Sequence, residues 1–420
     1  MNDERQFAID VVRTLVKSGY QALWAGGCVR DQLLGVAPKD YDVATNATPD
    51  QIRDLFGRKR TLPIGAAFGV ITVVGNKSQG QIEVATFRKD GGYSDGRRPD
   101  AVSFSSAEED AQRRDFTING LFFDPLKEQI LDFVGGQEDL AKQVIRAIGD
   151  PHERLDEDKL RMLRAVRFAA TYGFELDKET ESAVVQHADE IRVVSVERIS
   201  AELRRMLVHK NRRLAGELLR KTKLLSVILP EFTQTLLEET WNDTLATLDF
   251  LSEPSFATAF AVVVRSICDA AESSVEMVNT ICRRMKLSNE EISSAEFQLQ
   301  QYPLVLAGVE APWPQLQRVL IDDRGGELIT FCRALSQQLG RGADGVQFCA
   351  AKLALPAAEL NPSRLLDGND LQDAGIPSGP HYKRLIDSIR DEQLMGRLNS
   401  SEEALVFAQA HWDKLNSGGE

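Results

Sequence analysis

The apolar positions of this chain change rhythm part way along it. Up to residue 134 they come in short runs, at 21–25, 69–74, 81–87, 102–105 and 129–134. These runs are rich in β-branched and aromatic residues and are separated by glycine and polar turns, which predicts strands. After residue 150 the spacing opens to three and four, as in Val278, Ile281, Cys282 and Met285 or Leu328, Phe331, Cys332, Leu335 and Leu339, the signature of helix faces. The pattern predicts an α+β protein with a strand-rich head and a long helical remainder. Within the head, Phe7, Val11, Val12, Leu15 and Val16 predict an amphipathic first helix. A short helix follows over 28–34, and Thr48-Pro49-Asp50-Gln51 opens a capped helix running to Phe56. Residues 69–74 and 81–87 form a predicted hairpin across the polar turn 75–80. Ser106-x-x-Glu109 opens a helix expected to carry Arg113, Arg114, Asp115 and Asn119. Residues 152–172 read as one helix, on which Asp158 and Arg161 share a face while Glu157 and Arg161, four apart, can pair.

Composition narrows the class. A chain of 420 residues, 43% hydrophobic, is long enough for two to four folded domains. Its longest apolar run, 256–264, stops at Arg265, short of the ~20 residues a membrane helix needs. The polar, acidic N-terminus is unlike a signal peptide, so the expectation is a cytoplasmic protein with no membrane partner. Five scattered cysteines without a C-x-x-C pair argue against a zinc site or a disulfide framework. A net charge of −13 opposes indiscriminate binding to nucleic acid. Against that background, residues 196–223 hold nine basic and three acidic residues, a local track suited to phosphates.

The candidate chemistry begins in residues 24–45. Asp40 and Asp42 flank Tyr41, and on a strand residues two apart project from the same face. Opposite them Gly26-Gly27 opens a helix, where bare backbone N–H groups favour phosphate. Glu83 lies in an otherwise apolar strand, so its carboxylate needs a cation or solvent. Three carboxylates on adjacent strands suit two Mg²⁺ ions, one activating a 3′-hydroxyl and one holding a triphosphate, which is nucleotidyl transfer. The five histidines show no clustering, which leaves a His-Asp phosphohydrolase poorly supported. Residues 88–98, with three glycines among charges, are expected to form a mobile loop.

These motifs, taken in order, resemble the class II tRNA nucleotidyltransferases of the polymerase-β-like superfamily, the group of CCA-adding enzymes and bacterial poly(A) polymerases. Gly26-Gly27-x-Val29-Arg30-Asp31 with Asp40-x-Asp42 is similar to the first motif. Arg113-Arg114-Asp115-Phe116-Thr117-x-Asn119 is similar to the ribose motif, and Asp132…Gly135-Gly136…Asp139-Leu140 to the hinge. Glu157-Asp158-x-x-Arg161 with Arg164-Ala165-x-Arg167-Phe168 is similar to the base-recognition helix, and Gly368-x-Asp370-Leu371…Gly379-Pro380 to the tail of tRNA-modifying members. The resemblance implies a mixed-sheet catalytic head (1–140), a helical neck with the base template (141–197), a basic helical body (198–300) and a helical tail (301–420) that contacts tRNA.

The same resemblance implies template-independent addition of C, C and A from CTP and ATP to the tRNA acceptor end, with contacts reaching along the acceptor stem to the elbow. It implies catalytic and metal-holding roles for Asp40, Asp42 and Glu83. Nucleotide contacts are implied for Gly26, Gly27, Arg30, Arg114, Asp115, Asn119, Asp158, Arg161, Arg164 and Arg167. Asp115 is implied to select the ribose and Asp158 with Arg161 to serve as a protein template for the base. Arg88, Asp95 and Arg97 are implied to help the 88–98 loop switch the pocket from CTP to ATP. Phe68-Gly69-Val70 stands where many CCA-adding relatives have His-Gly-Thr, so an A-adding enzyme and a poly(A) polymerase stay open as alternatives. A non-catalytic RNA-binding or chaperone protein on a dead transferase fold is the alternative of a different class; the intact Asp40, Asp42 and Glu83 speak against it.

Overall fold

The structure, a computed structural model, describes residues 3–91, 102–377 and 382–417. The chain forms two compact units, residues 1–233 and 234–420.

The first unit is organised on a seven-stranded mixed sheet. After α1 (Asp3–Lys17) come β1 (Ala22–Ala25), α2 (Gly27–Leu33), β2 (Asp42–Thr45), α3 (Pro49–Phe56), β3 (Thr61–Leu62), β4 (Val70–Val74) and β5 (Gln81–Thr86). A separate two-stranded ribbon pairs β6 (Arg88–Asp90) with β7 (Val102–Phe104), and α4 (Ala107–Gln112) follows. Next are β8 (Phe122–Asp124) and β9 (Gln129–Leu131), completing the sheet in the order β3-β4-β5-β2-β1-β8-β9. Within this sheet β2 and β5 are the one parallel pair among the described residues, and their register sets Asp42 directly beside Glu83. The predicted hairpin of β4 and β5 is present, and Thr48 caps α3 through the reciprocal hydrogen bonds with Gln51. Helix α1 buries Phe7, Ala8, Val11, Val12 and Leu15, the face its spacing predicted, while Trp24 lies fully inside.

Beyond the sheet come α5 (Gly136–Lys142), β10 (Val144–Ile145), α6 (Pro151–Glu157), α7 (Arg161–Tyr172), β11 (Glu175–Leu176) and α8 (Lys178–His187). The unit continues through α9 (Val196–Leu207), α10 (Arg212–Lys221) and α11 (Leu224–Ile228). Asp132 organises the turn into α5, its carboxylate accepting backbone N–H bonds from Val134, Gly135, Gly136 and Gln137 at 2.9–3.1 Å.

Three sequence expectations are corrected in this unit. Helix α4 ends at Gln112, so Arg113 is its C-cap, and Asp115 and Asn119 lie in the following turn rather than on the helix. The predicted helix over 152–172 is two helices. Asp158 sits in the break with extended backbone (φ −147, ψ 104), so it does not share a helix face with Arg161. Asp40 lies in the bend before β2 rather than on the strand, so strand alternation does not fix its direction.

The second unit is helical throughout its described residues, from Gln234–Phe250 to Ser401–Ser417. Its most apolar helix, Phe256–Asp269, is buried on nearly every side and is capped by Ser255. Ser273 and Ser288 cap Ser274–Arg284 and Asn289–Ala307. A separate apolar cluster of Leu366, Leu371, Ile376, Leu385, Ile389 and Leu398 holds the last helices together. No helix among the described residues is long and apolar enough to cross a membrane.

Candidate nucleotide-binding site

A cleft of about 510 Å³ opens in the first unit, lined by residues from three of the motifs: Gly26, Gly27, Arg30, Asp42, Arg113, Arg114, Asp115, Asn119, Asp158, Arg161, Arg164 and Phe168. Five of these are arginines and three are aspartates, so the cleft suits an anion while keeping carboxylates for other work.

The glycine turn forms one wall. Gly26 has φ 71 and ψ −121, and a Cβ there would stand 2.7 Å from Arg114 Nη1. The room the glycine leaves is therefore occupied by the Arg114 guanidinium, which also donates to the Asn119 carbonyl at 3.2 Å. Arg30 is buried. It donates to Asn119 Oδ1 at 2.5 Å and to Asp31 at 2.7–2.9 Å, and its guanidinium lies 4.7 Å from the Tyr172 ring centre.

Asp42 stands at the floor, its side chain still meeting solvent. Partial burial pushes its carboxyl up to about 6, with Glu83 and Asp40 adding repulsion and Arg114 opposing it. No described residue offers a hydrogen bond or ion pair to the carboxylates of Asp40, Asp42 or Glu83. Two register-matched carboxylates that repel one another, with Arg114 near but no described residue bonded to them, are a donor set fit for Mg²⁺. Asp40 and Glu83 do not line the cleft, and the three carboxylates do not converge as a single ligand cluster in this conformation.

Asp115 is held by four hydrogen bonds. Its Oδ2 accepts from Arg164 Nε at 2.8 Å and Nη2 at 2.6 Å, and its Oδ1 from Asn119 Nδ2 at 3.0 Å and Phe116 N at 2.9 Å. Burial alone would raise its carboxyl, yet Arg164, Asn119 and Arg161 hold it down to about 2.

At the far side, Asp158 Oδ1 accepts from Leu160 N at 3.0 Å and Oδ2 from Arg198 Nη2 at 2.7 Å. Arg161 pairs with Glu157, as its i,i+4 spacing predicted, and donates to the carbonyls of Arg154 and Arg113 at 2.8 and 3.3 Å. Arg167 does not line the cleft: it is half-buried against the buried Glu202 and lies 4.0 Å from the Phe168 ring centre. Arg88 donates to the Phe68 carbonyl at 2.7 Å, while Asp95 and Arg97 lie outside the described residues.

Several residues that hold the site were not singled out from sequence. Asp110, buried on α4, accepts from Arg113 at 2.7 and 2.9 Å, from Arg114 at 3.1 and 3.2 Å and from the Arg88 N–H at 3.2 Å. Burial opposes its ionisation, but Arg114 and Arg113 bring its carboxyl below the usual range. Its place on a predicted helix, three and four residues before two arginines, was the available signal. The histidines are also closer than the sequence suggested. His152 Nδ1 and His187 Nε2 are 3.0 Å apart, and His187 Nδ1 lies 2.8 Å from Glu190. Asp156, His187 and Glu190 converge there, but the Lys159 ammonium pairs with both carboxylates and serves as their counter-ion.

The basic segment is less open than its composition implied. Of the nine cations in 196–223, Arg198 pairs with Asp158, Arg205 with Glu202, Arg213 with Glu217 and Lys221 with Glu181, and Arg212 donates to the Leu207 carbonyl.

Comparison with known proteins gives a consistent picture. Residues 22–146 match the family model described as the poly A polymerase head domain. Residues 173–236 match the one described as a probable RNA and SrmB-binding site of polymerase A. The CCA-adding enzyme of Levilactobacillus brevis is 32% identical over 413 residues, 97% of this chain and 98% of that one. That of Lactobacillus helveticus is 32% identical over 95% of both chains. The crystal structure of the Bacillus stearothermophilus CCA-adding enzyme in complex with CTP superposes with a TM-score of 0.78 at 27% identity, covering 99% of this chain and 100% of that one. The Thermotoga maritima CCA-adding enzyme complexed with tRNA, at 20% identity and a TM-score of 0.70 over 97% and 95% of the two chains, shares the fold.

Proposed function

The chain belongs to the class II CCA-adding enzymes, tRNA nucleotidyltransferases with the poly(A) polymerase head, and we propose that it adds C, C and A to the 3′ end of tRNA from CTP and ATP without a nucleic-acid template. The observation that carries this reading is the single cleft into which Gly26-Gly27, Asp42, Asp115 and the pair Asp158 and Arg161 are all gathered from separate stretches of chain. Each addresses a different part of a nucleoside triphosphate.

Arg30 and Arg114, fixed beside the glycine turn, hold the triphosphate. Asp115 is kept ionised by Arg164 and is an acceptor-only group suited to the ribose hydroxyls. Asp42 and Glu83, with Asp40 beside them, would hold two Mg²⁺ ions, which when bound supply Lewis-acid activation of the tRNA 3′-hydroxyl and neutralise the departing pyrophosphate. The base falls to Asp158 and Arg161. Cytosine and adenine present an amino donor beside a ring-nitrogen acceptor, so Asp158 accepts and Arg161 donates. Guanine and uracil present the reverse and leave both side chains mismatched, which supports discrimination on the order of 10⁴-fold or more. Under this reading the head extends to about residue 140 and the neck to 197. The body to 300 and the tail beyond it contact the tRNA stem and elbow, and Arg88, Asp95 and Arg97 belong to the CTP-to-ATP switch.

The relatives named above are CCA-adding enzymes over nearly their whole length, which favours this reading over an A-adding enzyme or a poly(A) polymerase. The test is incubation with tRNA lacking its last three nucleotides, with CTP and ATP singly and together. Addition of two C residues with CTP alone, and of CCA with both, is expected. Failure to incorporate CTP overturns the assignment.

A further inference from the structure

We infer that Arg198 is a positioning residue for base selection: by clamping Asp158 from a different helix, it makes that carboxylate a fixed acceptor. The inference rests on the role proposed for Asp158. Asp158 does not sit on a helix, where neighbouring turns would fix its side chain. It occupies the break between α6 and α7 in extended conformation. Two donors set its carboxylate instead. The Leu160 N–H holds Oδ1 at 3.0 Å, a local bond that comes with the break, and Arg198 Nη2 holds Oδ2 at 2.7 Å from forty residues along the chain. Arg198 lies near the start of α9, and only about a fifth of either side chain in the pair is exposed.

The geometry has a chemical consequence. Asp158 lines the cleft while Arg198 is not among its lining residues, so the cation approaches from behind the site. A carboxylate already receiving one charged and one backbone donor has restricted rotation, and its remaining lone pairs face a defined direction. It can then receive an exocyclic amino group from cytosine or adenine. A carbonyl at that position meets only acceptor oxygens. Without Arg198 the carboxylate keeps one local tether and gains freedom to turn away from an oncoming carbonyl, so the penalty against uracil and guanine shrinks. The interaction is charge-assisted, and in a site of this kind misplacement by about 1 Å costs on the order of 10²-fold in rate. The expected signature is a change in the ratio between nucleotides rather than a uniform slowing.

The experiment measures kcat/KM for CTP, UTP, ATP and GTP with tRNA ending at the appropriate position, on Arg198→Met, Arg198→Lys, Asp158→Ala and the Asp158→Ala/Arg198→Met double variant. Arg198→Met is expected to reduce CTP-over-UTP and ATP-over-GTP preference by roughly 10- to 100-fold, the scale of a misplaced recognition group. Arg198→Lys, which keeps the charge, should restore part of the preference. In the Asp158→Ala background, Arg198→Met should change the preference no further, because the group it positions is gone. If Arg198→Met slows all four nucleotides alike, or alters the preference equally in the Asp158→Ala background, Arg198 does not act through Asp158 and the inference falls while the template reading stands. If Asp158→Ala itself leaves the preference unchanged, the template reading fails and this inference with it. Should Arg198→Met not fold, Arg198→Gln, which keeps a neutral donor, provides the same comparison.

Discussion

Replacing Gly26 by alanine separates two physical reasons for a glycine at that position. The first is backbone conformation: φ 71 with ψ −121 lies outside the region L-residues favour, and holding alanine there costs ~1–3 kcal/mol. The second is space. The new Cβ would lie 2.7 Å from Arg114 Nη1, and the guanidinium cannot simply swing aside, because Asp110 holds it by Nε and Nη2. Moving it breaks the bond to the Asn119 carbonyl, a charged hydrogen bond worth about 1.5–3 kcal/mol. The sum, roughly 2.5–6 kcal/mol, should lower the melting temperature of the 233-residue first unit by roughly 5–24 °C, taking ~2–4 °C per kcal/mol for a unit of that size. Arg114→Met provides the separation. In that background Gly26→Ala should cost only the backbone share, about 1–3 kcal/mol, because the flexible Met tip can move away. Equilibrium unfolding of the four proteins, with CTP binding measured alongside, closes the cycle. An equal cost of Gly26→Ala in both backgrounds would refute the account of Arg114 as occupant of the glycine's space.

Asp42→Asn should remove several kcal/mol of transition-state stabilisation, a loss on the order of 10³-fold in transfer with CTP and ATP alike, with tRNA affinity unchanged. Mg²⁺ should raise the melting temperature of the wild type and not of this variant; an equal rise in both argues against a metal role for Asp42. Asp110→Asn leaves the Arg113 and Arg114 guanidiniums without their buried counter-charge and should cost roughly 3–5 kcal/mol, read by denaturant unfolding, with a raised KM for nucleotide. A loss under 1 kcal/mol contradicts the clamp. Asp115 has a depressed pKa, so its stabilisation, on the order of 2–3 kcal/mol, is fully present above the ordinary carboxyl pKa of ~3.9 and lost as pH falls through about 2. The stability gap between wild type and Asp115→Asn should therefore narrow between about pH 4 and 2, and a constant gap across that window would sink the assignment.

Much of the head was legible because its signals are local. The strands follow short β-branched runs, and the start of α3 follows from Thr48 and Gln51, whose side chains accept from each other's backbone N–H, and from Pro49, which has no N–H to satisfy. The register that puts Asp42 beside Glu83 was accessible only as a statement that the two strands were adjacent, since pairing depends on backbone partners distant in sequence. The misses share that cause. Residues 152–172 keep apolar residues on both sides of the break at Asp158, with Leu155 buried before it and Leu160 and Leu163 buried after it. Nothing in that pattern reports that the backbone turns extended between them. Asp110 was passed over because its value lies in three donors arriving from different places, the root of β6 among them.

The basic segment shows most clearly how composition and structure divide the labour. Counting charges in 196–223 predicts a phosphate track, but Arg198 and Arg205 are tied to carboxylates, and Glu202 on the same helix also binds Arg167 of α7. The start and middle of α9 therefore grip the base-recognition segment at two points: Arg198 on Asp158 in the break, and Glu202 on Arg167 one helix turn beyond Arg164, which itself holds Asp115. The proposed base contact, the proposed ribose contact and the helix that follows are thus joined by buried or half-buried ion pairs. Breaking one partner of such a pair costs about 3–5 kcal/mol where burial is deep. A displacement of α9 either carries Asp158 with it or breaks the Arg198 pair, and under the proposed template role a nucleotide that draws Asp158 toward its amino group pulls on Arg198 in turn. Charge in this stretch is therefore partly an internal linkage, and substitutions in it should alter which nucleotide is chosen as well as how tightly RNA is held. Arg205→Ala, which leaves Glu202 its Arg167 partner, should weaken RNA binding without the change in nucleotide preference expected for Arg198→Met. If both variants shift preference to the same extent, the linkage runs through the whole helix rather than through the Arg198–Asp158 pair.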